Sequence, residues 1–168
     1  MSKLSLSLDS SLLVRDVAGD YRPANADEVL QAAQRVLVGQ MRGCEVLSSP
    51  QVVRDYLRVK LGALEHEVFA VVYLDSQNRV IEYVEMFRGS VSQTSVYPRE
   101  VVKEALARNS AALLLVHNHP SGSTQPSRAD EMLTQTLKSA LALVDVRVLD
   151  HLIVAGAEVQ SMAERGLM

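Results

Sequence analysis

The chain has no tryptophan, one cysteine and no excess of basic residues, and each shortage excludes something. With Cys44 alone no intrachain disulfide can form, so the core must hold the fold unaided. A free thiol fits a reducing compartment, and a small buried apolar side chain is its ordinary structural use. Lys and Arg number 17 against 20 Asp and Glu, which leaves a formal charge of −3 and a pI near 5.8. That balance is a poor global footprint for a DNA binder, although it leaves room for a local basic face. No apolar run approaches the length of a membrane span, so no membrane partner is expected. Met1 to Leu8 alternates Ser with Leu and has neither the apolar core nor the basic leader of a signal peptide. The expected location is the cytoplasm. Internal repeats and low-complexity linkers are absent too.

What is present describes an ordinary globular chain. Its 168 residues suit one domain with a short appendage. A chain of this size buries about 70 % of its unfolded surface and needs no staples. The 48 % apolar and 22 % charged residues agree.

Periodicity divides the chain into elements. Leu4 to Leu8 can form a short strand, and the rest of the first 23 residues gives no clear pattern. Asn25 with Glu28 starts a helix whose Val29, Ala32, Ala33, Val36, Leu37 and Met41 recur at helical spacing, and Gly43 closes it. This amphipathic helix is expected to pack on the domain, with packing on a partner as the alternative. Ser49-Pro50 starts a second helix that ends at Gly62. His66 to Leu74 and Val80 to Phe87 read as strands of a hairpin around Asp75 to Asn78, followed by a loop from Gly89 to Thr94. Pro98 opens a helix through Asn109, Ala111 to Val116 is a strand, and Ser127 to Leu143 is a helix with Leu133, Leu137, Leu141 and Val144 along one side. Val146 to Val154 is a last long strand, Gly156 a turn, and Met162 to Gly166 a short helical end. Strands alternating with helices and a hairpin give an α/β or α+β class with a mixed sheet. The expected division is an N-terminal extension over 1–45 and a domain over 46–168.

The chemistry concentrates after the third strand. His117 and His119 stand two apart at its end, which puts both imidazoles on one face. A catalytic zinc takes neutral imidazole nitrogens readily and needs a third protein ligand plus an open position for water. Asp130 offers that ligand, and the Pro, Gly and Ser residues between can fold it back. Ser127 to Asp130 also reads as a capping box, which is compatible with ligation because a helix N-terminus favours an ionised carboxylate. The bound water needs a general base outside the ligand set. Glu65, Glu67, Glu82, Glu85, Glu100 and Glu104 all precede the histidines, and the residues alone do not choose among them.

His-x-His, seven residues, Ser, two residues and Asp resembles the signature of the JAMM (MPN+, JAB) metalloproteases. The wording His117-Asn118-His119-Pro120-Ser121-Gly122, with Pro98-Arg99-Glu100 before it and Asp150-His151-Leu152-Ile153-Val154 after it, is similar to the RadC-like branch over about Val46 to Met168. The resemblance implies an MPN/JAB-like, cytidine-deaminase-like mixed sheet flanked by helices. It implies one zinc per chain on His117, His119 and Asp130. It selects Glu67, at the head of Glu67-Val68-Phe69, as general base, and gives Ser127 the part of donor to the oxyanion. Asn118 should face away from the ligands and support the loop. For Asp150 a core hydrogen bond is the favoured reading, and orienting a zinc-bound imidazole is the alternative. His66 and His151 are not expected among the ligands. Tyr97 stands where many RadC-like chains have a histidine. The segment before Val46 is too short and too poor in glycine hairpins for the helix-hairpin-helix region of longer RadC proteins, so a short form is expected.

The implied function is a zinc-dependent metallopeptidase or isopeptidase-like hydrolase acting on a peptide or isopeptide-linked protein. Alternatives are a DNA-repair or mobile-element accessory protein that binds DNA or a partner, and a non-catalytic scaffold. A homodimer is compatible with the sequence.

Overall fold

The reciprocal cap at Asn25 forms as the sequence suggests, with the Asn25 side chain accepting from the Glu28 amide and Glu28 from the Asn25 amide. It opens α1 (Ala26–Met41), which follows a small antiparallel ribbon of β1 (Leu13–Arg15) and β2 (Tyr21–Pro23). The computed structural model describes residues 12–90 and 94–168. The strand expected at Leu4–Leu8, and residues 91–93 of the loop after the hairpin, lie outside the described residues. Pro50 begins α2 (Pro50–Leu61), where its missing N–H has no partner to lose. Ser49 occupies the cap position of that helix without making a side-chain cap hydrogen bond.

The hairpin follows as β3 (Val68–Leu74) and β4 (Val80–Arg88), with Asp75 Oδ1 accepting the Gln77 and Arg79 amides in the turn. Then come α3 (Pro98–Ala107), β5 (Ala112–Asn118), α4 (Arg128–Ala142), β6 (Arg147–Ala155) and β7 (Glu158–Ser161). The main sheet has the order β4-β3-β5-β6-β7, with β5 antiparallel to β3 and parallel to β6. Every residue of β3 and β5 is buried, as expected of strands covered on both faces.

The two-residue period sorts those strands between two cores. Ala70, Val72, Leu74, Leu114 and Val116 pack with Met41 of α1 and with Val53, Tyr56, Leu57 and Leu61 of α2. Phe69, Val71, Tyr73, Leu113 and Leu115 pack with Val101 and Ala105 of α3 and with Leu137 and Leu141 of α4. The protein is thus a mixed sheet with α1 and α2 on one face and α3 and α4 on the other. Among the described residues no helix is long and apolar enough to cross a membrane.

Two local expectations change. β5 runs two residues beyond Val116 because its ladder to β6 continues, and the His119 amide still donates to Val154 O at 2.8 Å. The C-terminal end is turn rather than helix, preceded by the unexpected β7. The Asp150 carboxylate accounts for both: it accepts Ser161 Oγ at 2.6 Å and the Ala163 amide at 3.0 Å, pinning the chain where a helix would have to start.

Gly62 shows how closely α2 meets the sheet. Its backbone is ordinary right-handed helix, yet a Cβ there would lie 2.1 Å from the Gly156 carbonyl oxygen in the β6–β7 turn. Gly62→Ala should therefore lower stability by about 1–3 kcal/mol, the usual range for overpacking. Chemical denaturation reads this as a lower midpoint. A midpoint equal to or above wild type would mean that α2 and the turn can part freely.

Candidate metal centre

The end of β5 delivers two imidazoles to the α4 side of the sheet. His117 is 6 % exposed, and the Nε2 atoms of His117 and His119 stand 2.8 Å apart. The third member comes from the first turn of α4. Asp130, Thr134, Leu137 and Leu141 recur at helical spacing, and the last three are buried, so Asp130 shares the face that packs on the sheet. Asp130 Oδ1 lies 3.2 Å from His117 Nε2, and Oδ2 lies 3.6 Å from His119 Nε2. Potential ligand atoms of the three residues all fall within 4.8 Å of one another.

Ser127 sets the carboxylate. Its side chain accepts the Asp130 amide, while Asp130 Oδ2 receives both the Ser127 amide at 2.7 Å and the Ser127 hydroxyl at 2.6 Å. Oδ2 is thereby taken, and Oδ1 is the oxygen left facing His117. The loop between the histidines and the helix turns at Gly122, whose φ of 82° favours glycine and whose amide donates to His119 O. Arg165 holds the loop from outside through two hydrogen bonds to Gln125 Oε1.

Protonation follows from the partners. His119 Nδ1 is 2.7 Å from the Ser123 carbonyl, which can only accept, so Nδ1 carries a proton and Nε2 of the neutral ring is bare. A bare nitrogen, a second imidazole nitrogen and a carboxylate oxygen at these distances require a positive charge among them. In the metal-free protein a proton supplies it. The hydrogen bond to Asp130 raises the His119 pKa against the opposing effect of burial. Burial pushes the Asp130 carboxyl up, but hydrogen bonds from His117 and His119 outweigh it and hold the carboxyl well below the usual carboxylate range. Nitrogen and oxygen donors in this set suit zinc and several other divalent ions, which would replace that proton.

Glu67 reaches the site through strand register. Phe69 pairs with His117 across the antiparallel β3–β5 ladder, so two further steps place Glu67 beside His119. Its carboxylate accepts from Thr94 Oγ1 at 3.3 Å and adds to the field that raises the His119 pKa. Glu67, Thr94, His119, Ser127, Asp130 and Leu133 line one groove of about 480 Å³. Asn118 points to the other face, as expected, but it fastens β3 rather than the loop. Its Oδ1 accepts the Val68 amide at 2.8 Å and its Nδ2 donates to His66 O at 2.9 Å, bracketing Glu67 on both sides.

Asp150 does not touch the imidazoles; it makes the core hydrogen bonds described above. Tyr97 is exposed and meets the edge of Phe87. His151 is the residue that sequence reasoning missed. It is fully buried, its Nε2 lies 2.8 Å from His117 Nδ1, and its Nδ1 lies 2.6 Å from Thr134 Oγ1. Burial, reinforced by the neighbouring His117, pushes its pKa well below the ordinary value. One imidazole ahead of Leu152-Ile153-Val154 was the available signal, since a buried polar group needs a partner.

Comparison with known sequences places these residues in a group. The sequence model of the RadC-like JAB domain matches residues 47–167. A UPF0758 protein of Leptothrix cholodnii is 59 % identical over 150 residues, covering 89 % of this chain and 68 % of that protein. A UPF0758 protein of Verminephrobacter eiseniae is likewise 59 % identical over 150 residues, covering 89 % of this chain and 63 % of its own length. One from Methylibium petroleiphilum is 54 % identical over 167 residues, covering 95 % and 75 %. The chain thus spans roughly two thirds to three quarters of these relatives.

The bracket around Glu67 is open to a direct test. Asn118→Ala leaves the buried Val68 amide and His66 carbonyl without their partner, at a cost of about 1–3 kcal/mol. Asn118→Asp should not rescue it, because a carboxylate oxygen would face the His66 carbonyl. Denaturation midpoints check both variants, and wild-type stability in either would show that the bracket contributes nothing.

Proposed function

The chain belongs to the RadC-like JAB domain family, and from that premise we propose that it is a zinc-dependent hydrolase of peptide or isopeptide bonds. One observation carries the reading: two imidazole nitrogens and a carboxylate oxygen converge beside a groove lined by His119, Asp130 and Glu67. His117, His119 and Asp130 would hold the ion through Nε2, Nε2 and Oδ1. When bound, zinc supplies an acidified water and polarises the scissile carbonyl.

The chain's own groups carry the remaining work. Glu67 is the general base, taking a proton from the attacking water and returning it to the leaving amine. Thr94 steadies the carboxylate from one side, and the Asn118 bracket holds its backbone. Ser127 enters with two parts. Its hydroxyl donates to Asp130 Oδ2 in the resting protein, fixing which oxygen faces His117. To serve as donor to the oxyanion, the hydroxyl must turn away from that carboxylate, a rotation its exposed position on the groove permits. Leu133 gives the groove an apolar side against which a substrate chain can lie. We place the protein in the cytoplasm, where Cys44 stays reduced. The reading as a DNA-contacting accessory protein has the net charge of −3 against it and no feature of this groove in its favour.

Panels of peptide and isopeptide-linked substrates, incubated with zinc-loaded protein, test the proposal. Wild type should cleave at least one class, and Glu67→Gln should lose about 10²- to 10⁴-fold in rate, the usual contribution of a general base, while keeping its zinc. Equal cleavage by Glu67→Gln would remove Glu67 from the mechanism.

A further inference from the structure

We propose that His151 and Thr134 are positioning residues for the metal centre, fixing His117 in the tautomer that carries its proton on Nδ1 and so turning the Nε2 lone pair toward His119 and Asp130. This rests on reading the cluster as a metal site. The direction of every proton in the relay follows from its far end. Thr134 Oγ1 lies 2.6 Å from the main-chain oxygen of Asp130, one helical turn back. A carbonyl can only accept, so the single hydroxyl proton of Thr134 lies on that line. Toward His151 Nδ1, also at 2.6 Å, the hydroxyl can then only accept, and the proton of that bond belongs to His151.

His151 is fully buried, and among the described residues its ring nitrogens bond only His117 and Thr134, with no carboxylate to support a second proton. Its Nε2 is therefore bare and must accept, at 2.8 Å, from His117 Nδ1. The ring of His117, neutral when it serves as a ligand, is left with a bare Nε2. Nothing in the chain of bonds can be reversed singly without setting two protons or two lone pairs against each other.

The relay also begins and ends on ligands. It leaves the backbone of Asp130, passes through Thr134 and His151, and arrives at the ring of His117. The first turn of α4 and the end of β5 are thus tied together behind the site. Phe69 meets the His151 ring edge-on, with centroids 5.9 Å apart and planes at 77°, and limits its rotation. His119 obtains the same tautomer more simply, from the Ser123 carbonyl. Both imidazoles are therefore prepared for the ion before it arrives, one by the loop and one by the core.

Thr134→Val removes the hydroxyl at nearly constant shape and leaves the relay free to reverse, while Thr134→Ser keeps it. Two readouts separate positioning from packing. In ¹⁵N-histidine-labelled, metal-free protein, above the pH range where imidazoles are charged, long-range ¹⁵N–¹H spectra should show wild-type His117 protonated on Nδ1. In Thr134→Val a population protonated on Nε2 should appear. Competition with a chromophoric chelator should show zinc affinity about 10- to 100-fold weaker in Thr134→Val and restored in Thr134→Ser. The proposal is overturned if wild-type His117 carries its proton on Nε2. It is equally overturned if Thr134→Val changes only thermal stability, with tautomer and zinc affinity as in wild type. Should wild type take up no zinc at all, the hydrolase reading fails, while the metal-free spectra still decide the direction of the relay.

Discussion

Two imidazole nitrogens that are bare in their neutral rings, held 2.8 Å apart beside a carboxylate, repel one another unless a positive charge sits among them. The architecture around the end of β5 reads as the means of enforcing that arrangement. Left free, His117 would rotate, Asp130 would turn to solvent and the repulsion would vanish. Each is instead held from behind: His117 by His151, His119 by the Ser123 carbonyl, and Asp130 by the cap that Ser127 makes. Those restraints are neutral hydrogen bonds, or bonds to the oxygen that faces away. The unsatisfied attraction for a cation is concentrated at one point.

The sheet makes this affordable in stability because β5 is its central strand. Its neighbours run in opposite directions, β3 antiparallel and β6 parallel, and each brings a different resource to the same end. The antiparallel neighbour begins where β5 finishes, so Glu67 arrives beside His119 without any loop having to carry it. The parallel neighbour returns through α4, and that crossover brings Asp130 and Thr134 to one side of the strand and His151 to its flank. Asn118, on the opposite face, locks the β3 entrance to the β5 exit. Consecutive residues of one strand thus face the candidate metal site and lock the register by turns.

How much of this was legible follows from the range over which each feature is determined. His117 and His119 share a face by the strand period, and Ser127 and Asp130 meet by the geometry of a helix start, so four positions could be read from short spacings. The main strands and four helices were legible for the same reason, through apolar periodicity and caps such as Asn25 with Glu28. Glu67 was one of six acids and was singled out only by a family resemblance, because its place depends on the β3–β5 register. The partners of His151 and Thr134 were hidden for a stronger reason. The two lie 34 and 17 residues from their relay partners, and no local pattern encodes which strand lies beside which or which turn of α4 covers them. The β7 strand was missed because Glu-Val-Gln-Ser offers too little apolar alternation, and its existence depends on Asp150 pinning Ser161.

His117, His119 and Asp130 form either a binding site for a divalent ion or a cluster of structural polar groups, and only the first takes up metal. Equilibrium dialysis of tag-free, chelator-stripped protein against buffered zinc, followed by elemental analysis of wild type beside His119→Ala, tests it most directly. A metal site on these residues gives one zinc per wild-type chain and none retained by His119→Ala at the same free zinc, with the fold of both intact. A well-folded wild type that takes up no zinc, or a His119→Ala variant that retains it fully, would mean that the three side chains are not a zinc site.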